Sequence, residues 1–82
     1  MKISFIKTRN DKNSYKMAKN FGMDVFEIQE PEQIDEKIEE LKIKNYNTII
    51  ITNELASFSQ NLIPKYKNDS KINIVITPTI NE

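Results

Sequence analysis

Hydrophobic and polar residues come in blocks along this chain, and the most apolar block lies in Tyr46 to Ala56, YNTIIITNELA. Ile49, Ile50 and Ile51 are three β-branched residues in succession. A strand sends successive side chains to opposite faces, so this run predicts a strand buried on both sides. Such a strand belongs in the centre of a parallel sheet covered by helices. Thr52, Asn53 and Glu54 then lead into a helix start. The rest of the pattern arranges itself around this strand.

KISFIK, residues 2–7, reads as a first strand, with Ile3 and Phe5 on one face and Ile6 on the other. The polar Thr8-Arg9-Asn10-Asp11 follows, and Asn10 or Asp11 is placed to cap a helix. Ser14, Met17, Ala18 and Phe21 share one helical face, so the first helix is predicted over about Asp11 to Phe21. Gly22, the chain's only glycine, stands where a left-handed residue ends that helix. Asp24 to Ile28 is a second strand whose Glu27 puts a charge on one face, which marks a position near the sheet edge. Glu30-Pro31 opens a second helix with the buried stripe Ile34, Ile38 and Leu41. Its acids gather at the amino end and Lys42 and Lys44 at the carboxyl end, matching the helix dipole.

Leu55, Phe58, Leu62 and Tyr66 extend a third helical face after the central strand, and Pro64 predicts a kink or break near Asn61. Asn68-Asp69-Ser70 is a turn. Ile72, Ile74 and Ile76 alternate with Asn73, Val75 and Thr77 in a fourth strand that ends at Pro78.

The order β-α-β-α-β-α-β with short connections predicts one three-layer α/β domain over residues 1–82, built on a four-stranded parallel sheet. The doubly apolar strands are the first and third, which favours strand order 2-1-3-4, a flavodoxin-like sheet. Ile3, Phe5, Ile49, Ile50, Ile51, Ile74 and Ile76 are the expected core of that sheet. The order 3-2-1-4 would bury Glu27, and is disfavoured for that reason.

Composition removes several functions. Lys+Arg and Asp+Glu are both 12, so the formal net charge is zero and no electrostatic argument favours nucleic acid or an anionic membrane. The chain has no Cys and no His, which excludes thiolate chemistry, a histidine base and Cys/His metal sites. No apolar run approaches the roughly 20 residues of a membrane span. The amino terminus lacks a signal-peptide pattern, so a cytoplasmic protein without membrane insertion is expected.

Ligands of such sheets bind beyond the carboxyl ends of the strands, where the order reverses between the first and third. The residues there are Lys7, Thr8, Arg9 and Asn10 on one side and Thr52, Asn53 and Glu54 on the other. A phosphate loop needs glycines, and this loop has none. A phosphoacceptor site needs clustered carboxylates for Mg²⁺, whereas the strands end in Lys7 and Thr52. No glycine- and hydroxyl-rich loop is present for a flavin. A carboxylate such as Glu54 in a first helical turn ordinarily serves the dipole, and Lys7 and Arg9 read as loop residues in solvent. Tyr15, Tyr46 and Tyr66 are too dispersed for a base-stacking platform. No catalytic residue, cofactor or metal is therefore expected.

The segment ITNELASFSQNLIPKYK resembles the stretch after the third strand in the F subunits of the V/A-type rotary ATPases, which reads like ITEEIAE followed by a helix. MKISFIKTRND is similar to that family's opening strand and polar loop, INIVITPTI to its fourth strand, and EPEQIDEKIEEL to its acidic second helix. Two stretches depart from the family. SYKMAKNFG stands where a glycine-richer run is usual, and the family's further C-terminal helix is not among these 82 residues. The resemblance implies a short form of such a protein. It would be a non-catalytic part of the central stalk of the V-type ATPase, bound to the coiled-coil stalk subunit, and peripheral to a membrane complex. The seven switch-point residues are then expected to contact the partner. The alternative is a stand-alone flavodoxin-like domain that handles a small ligand or phosphate.

Overall fold

The computed structural model describes residues 2–9, 16, 19–60 and 65–78. Four strands, β1 (Ile3–Thr8), β2 (Asp24–Ile28), β3 (Thr48–Thr52) and β4 (Asn73–Thr77), form one all-parallel sheet in the order β2-β1-β3-β4. This is the α/β, flavodoxin-like arrangement, and the predicted strand order holds. Glu27 lies on an edge strand, where its carboxylate stays exposed.

Helix α1 (Ile34–Ile43) is introduced by a 3-10 turn at Pro31–Gln33, where the predicted helix was expected to be α-helical from Pro31. The Glu30 N–H donates to the Gln33 side chain at 3.2 Å, which satisfies a donor at the exposed helix start. Ile34, Ile38 and Leu41 are fully buried, as their spacing requires. They pack in one cluster with Ile6, Ile28, Ile49 and Ile51 from one sheet face. Leu55, Tyr66 and Ile72 join the same cluster, so both connections that flank β3 cover this face. α1 ends at Lys44, and Asn45 takes a positive φ of 70° that turns the chain into β3. Asn tolerates that conformation better than most residues.

The opposite face carries the row Val25, Phe5, Ile50 and Val75, aligned by the parallel register. Phe5 is 5% exposed, Val25 and Ile50 are half-buried, and Val75 is 36% exposed. Burial thus fades toward β4. On the α1 face Ile51 is fully buried while its β4 neighbour Ile76 is 49% exposed.

Several expectations are corrected here. Ile76 is not in the core, and Ile3, Ile50 and Ile74 are only half-buried. For Ile74 and Ile76 the reason is position. β4 is an edge strand, and the described helix above it, α2 (Asn53–Ala56), has a single turn. Phe58 is 39% exposed because the helix has ended before it. The expected kink near Asn61 lies outside the described residues, as does most of the first helix with Ser14, Met17 and Ala18. Lys16, Lys19 and Asn20 are helical, Gly22 has a φ of 74°, and Phe21 is 73% exposed, so Phe21 does not extend a buried stripe.

The segment before β4 is held against α1 by polar contacts that the linear pattern does not show. Asp35 accepts from the Ser59 hydroxyl at 2.5 Å and from the Gln60 N–H at 3.0 Å. Lys65 pairs with Glu39, and Lys42 donates to Asp69 at 2.5 Å. The Lys42 hydrogen bond holds the Asp69 carboxyl below its ordinary value of 3.8. A carboxyl lowered in the folded state adds stability that is fully present above its ordinary pKa and is lost as pH falls through the lowered one. Stability should therefore hold from neutrality to about pH 5 and fall below about pH 4. Asp69→Asn should flatten that acid limb in urea melts at stepped pH; an unchanged limb would remove the pair from the account.

Candidate functional site

The carboxyl ends of β1 and β3 lie side by side, and the strand order reverses between them. β1 runs through Lys7 to Thr8, and Arg9 is an exposed turn residue. Lys7 is not a loop residue in solvent, as the sequence suggested. It is 9% exposed within the strand, and its ammonium meets Glu27 of β2 at 3.0 Å. Alternation explains this, because Lys7 follows Phe5 on a covered face and reaches sideways to the edge. Asn10 lies outside the described residues.

On the β3 side, Thr52 is 2% exposed and caps the helix that follows. Its Oγ1 accepts from the Leu55 N–H at 3.3 Å, so a threonine ending a strand also starts the next helix. Asn53 and Glu54 are exposed in the first turn of α2. The structure therefore brings Thr8, Arg9, Asn53 and Glu54 to one end of the sheet and withdraws Lys7 and Thr52 into its frame.

Charge at this end is not neutral. α1 starts beside the carboxyl ends of the strands, so Glu30, Glu32, Asp35 and Glu36 gather there with Glu54. At the opposite end Lys2 reaches the Lys44 carbonyl, and Lys42 and Lys71 stand close by on a cavity of about 530 Å³. Among the described residues these acids outnumber Lys7 and Arg9 at the switch-point end, whereas at the other end the lysines are matched by Asp24, Glu39 and Asp69.

Two further cavities, of about 250 Å³ and 500 Å³, lie along β2 and share Glu27. Neither of these nor the cavity beside Lys42 and Lys71 includes Thr8, Arg9, Thr52, Asn53 or Glu54. Among the described residues no group of acidic side chains is arranged to hold a metal ion. Among the described residues, Arg9, Asn53 and Glu54 give the switch-point end an exposed polar surface. No helix among the described residues is long and apolar enough to cross a membrane.

Sequence reasoning did not find the Tyr46 contact, whose hydroxyl donates to Asp24 at 2.6 Å while its ring meets Phe26 edge-on at 5.4 Å. The only linear signal was a tyrosine leading into β3. No curated protein matches the chain. Over residues 10–82 it matches the protein family described as ATP synthase (F/14-kDa) subunit.

Proposed function

The chain belongs to the protein family of the ATP synthase (F/14-kDa) subunit, whose members are parts of rotary ATPases, and from that premise we propose that it is a non-catalytic central-stalk component binding the coiled-coil stalk protein. The family match across residues 10–82 carries this reading. We take residues 1–82 as a single domain of that family. Its place is at the membrane-peripheral part of the complex, on the cytoplasmic side.

The proposed contact surface is the switch-point end: Lys7, Thr8, Arg9 and Asn10 from the first strand and its loop, with Thr52, Asn53 and Glu54 from the third. Arg9, Asn53 and Glu54 supply exposed polar groups. Lys7 and Thr52 act through what they hold, Glu27 and the start of α2. The acidic excess at this end favours a basic stretch of the coiled coil. Such a contact is steered at long range and weakens as salt rises.

Binding of the purified chain to its cognate coiled-coil protein, by co-purification and calorimetry, is the test. Glu54→Lys should weaken it by about 1–3 kcal/mol, and added salt should slow association. No association at tens of micromolar would remove the stalk reading. The alternative, a small-ligand or phosphate-handling domain, predicts tight binding of FMN, ATP or Mg²⁺. Calorimetric titrations should show none in the low micromolar range, and a positive result for any would favour that alternative.

A further inference from the structure

The two edges of the sheet are built differently. β2 carries Asp24 and Glu27, both exposed, so its edge is guarded by charge. β4 reads NIVIT and has no charged residue. Its Val75 and Ile76 are 36% and 49% exposed and point to opposite faces. Natural sheets blunt their edges with charge, proline or a covering element. β4 has proline only beyond its end, at Pro78.

The Asn73 N–H donates inward to the Asn47 carbonyl at 2.8 Å. Backbone groups alternate along a strand, so Asn73, Val75 and Thr77 address β3, while Ile74 and Ile76 turn their N–H and C=O outward. An added strand must meet those two residues. The geometry points to a second copy of this chain, pairing β4 with β4 antiparallel about a two-fold axis at Val75.

This register satisfies every position. Ile74 stands opposite the other copy's Ile76 and exchanges both backbone bonds with it. Val75 faces its own copy in a non-hydrogen-bonded pair, where side chains approach closest. Asn73 meets Thr77. Each pair joins like with like, β-branched with β-branched and amide with hydroxyl, which stabilises cross-strand contact. Sliding the axis to Ile76 would set Pro78, which has no N–H, against an outward position. Pairing β4 with β2 would set Asp24 or Glu27 beside its apolar residues. The interface is isologous, so it closes at two copies and forms one continuous sheet. Two five-residue strands bury less than the roughly 1,200 Å² of a standard interface, so the dimer is a weak one.

The absence of cysteine makes cross-linking clean. Val75→Cys puts two thiols in direct opposition, at a Cα separation a disulfide accepts. Asn73→Cys puts them several residues apart across the same axis. Under mild oxidation Val75→Cys should form covalent dimers at least about tenfold faster than Asn73→Cys. Sedimentation of the unmodified chain should show reversible dimers on the order of 100 µM. Val75→Lys, which opposes two like charges, should leave it monomeric with its circular dichroism unchanged. Equal cross-linking rates, or a chain monomeric up to about 1 mM, would overturn the inference. Because the switch-point end lies apart from β4, Val75→Lys should retain binding of the stalk partner, so the two proposals fail separately.

Discussion

Replacing Ile49 by alanine should cost about 2–5 kcal/mol of folding stability, the range for truncating a large buried aliphatic side chain. Ile49 is fully buried on the helix-covered face of β3. Its register neighbours are Ser4, also fully buried, and Ile74. Truncation leaves a void between β3 and the helix layer, because strands paired on both sides cannot move in to fill it. A chain of 82 residues has about 5–10 kcal/mol in total. The variant should therefore melt roughly 10–30 °C lower. Ile50→Ala, one position along, should cost distinctly less, since Ile50 is half-buried on the face where cover fades toward Val75. Urea melts of both variants decide the matter. Equal losses, or a loss below about 1 kcal/mol for Ile49→Ala, would contradict this account of the two faces.

Alkaline conditions should destabilise the protein through Tyr66. Its side chain is 1% exposed in the core cluster, and its hydroxyl points to the Asp35 carbonyl at 3.4 Å. Burial, followed by the nearby carboxylates of Glu39, Asp35 and Asp69, pushes its pKa from 10.0 up to about 12. A raised acid pKa means that the unfolded chain gives up its proton first. The contribution is fully present below pH 10 and is lost as pH climbs toward 12. The loss is on the order of 3 kcal/mol, at about 1.4 kcal/mol per pKa unit. Tyr66→Phe keeps the ring and removes the ionisable hydroxyl. It should be nearly neutral at pH 7 and should flatten the slope of stability between about pH 10 and 12. Melts across that range, with phenolate absorbance to follow ionisation, provide the measurement. An alkaline slope that survives Tyr66→Phe would assign it elsewhere, Tyr46 beside Asp24 being the next candidate.

Much of the architecture is local information. Three consecutive isoleucines on β3 favour an interior strand and Glu27 favours an edge, so the strand order was legible in side-chain chemistry. The stripe Ile34, Ile38 and Leu41 names the buried face of α1 because helical spacing is fixed by the backbone. The positions of Gly22 and Asn45, each with positive φ, were open to the same reasoning; only the first was read from the sequence.

Tertiary structure decided what depends on residues far apart in the chain. Lys7 looked like a loop cation until β2 brought Glu27 to it across 20 positions, within a strand face that leaves the ammonium little solvent. Asp35 became the anchor of residues 59–60, and Tyr66 a core residue ringed by carboxylates, only when α1 and the segment before β4 packed together. Periodicity placed Ile74 and Ile76 in the core, and β4's edge position left Ile76 half in solvent. The candidate contact surface divides the same way: its seven residue types could be read in order, but which face solvent and which hold the frame could not. Alternation and helical pitch are properties of a few adjacent peptide units. Burial and charge pairing are set by whatever the fold brings within a few ångströms, which no short stretch of sequence contains.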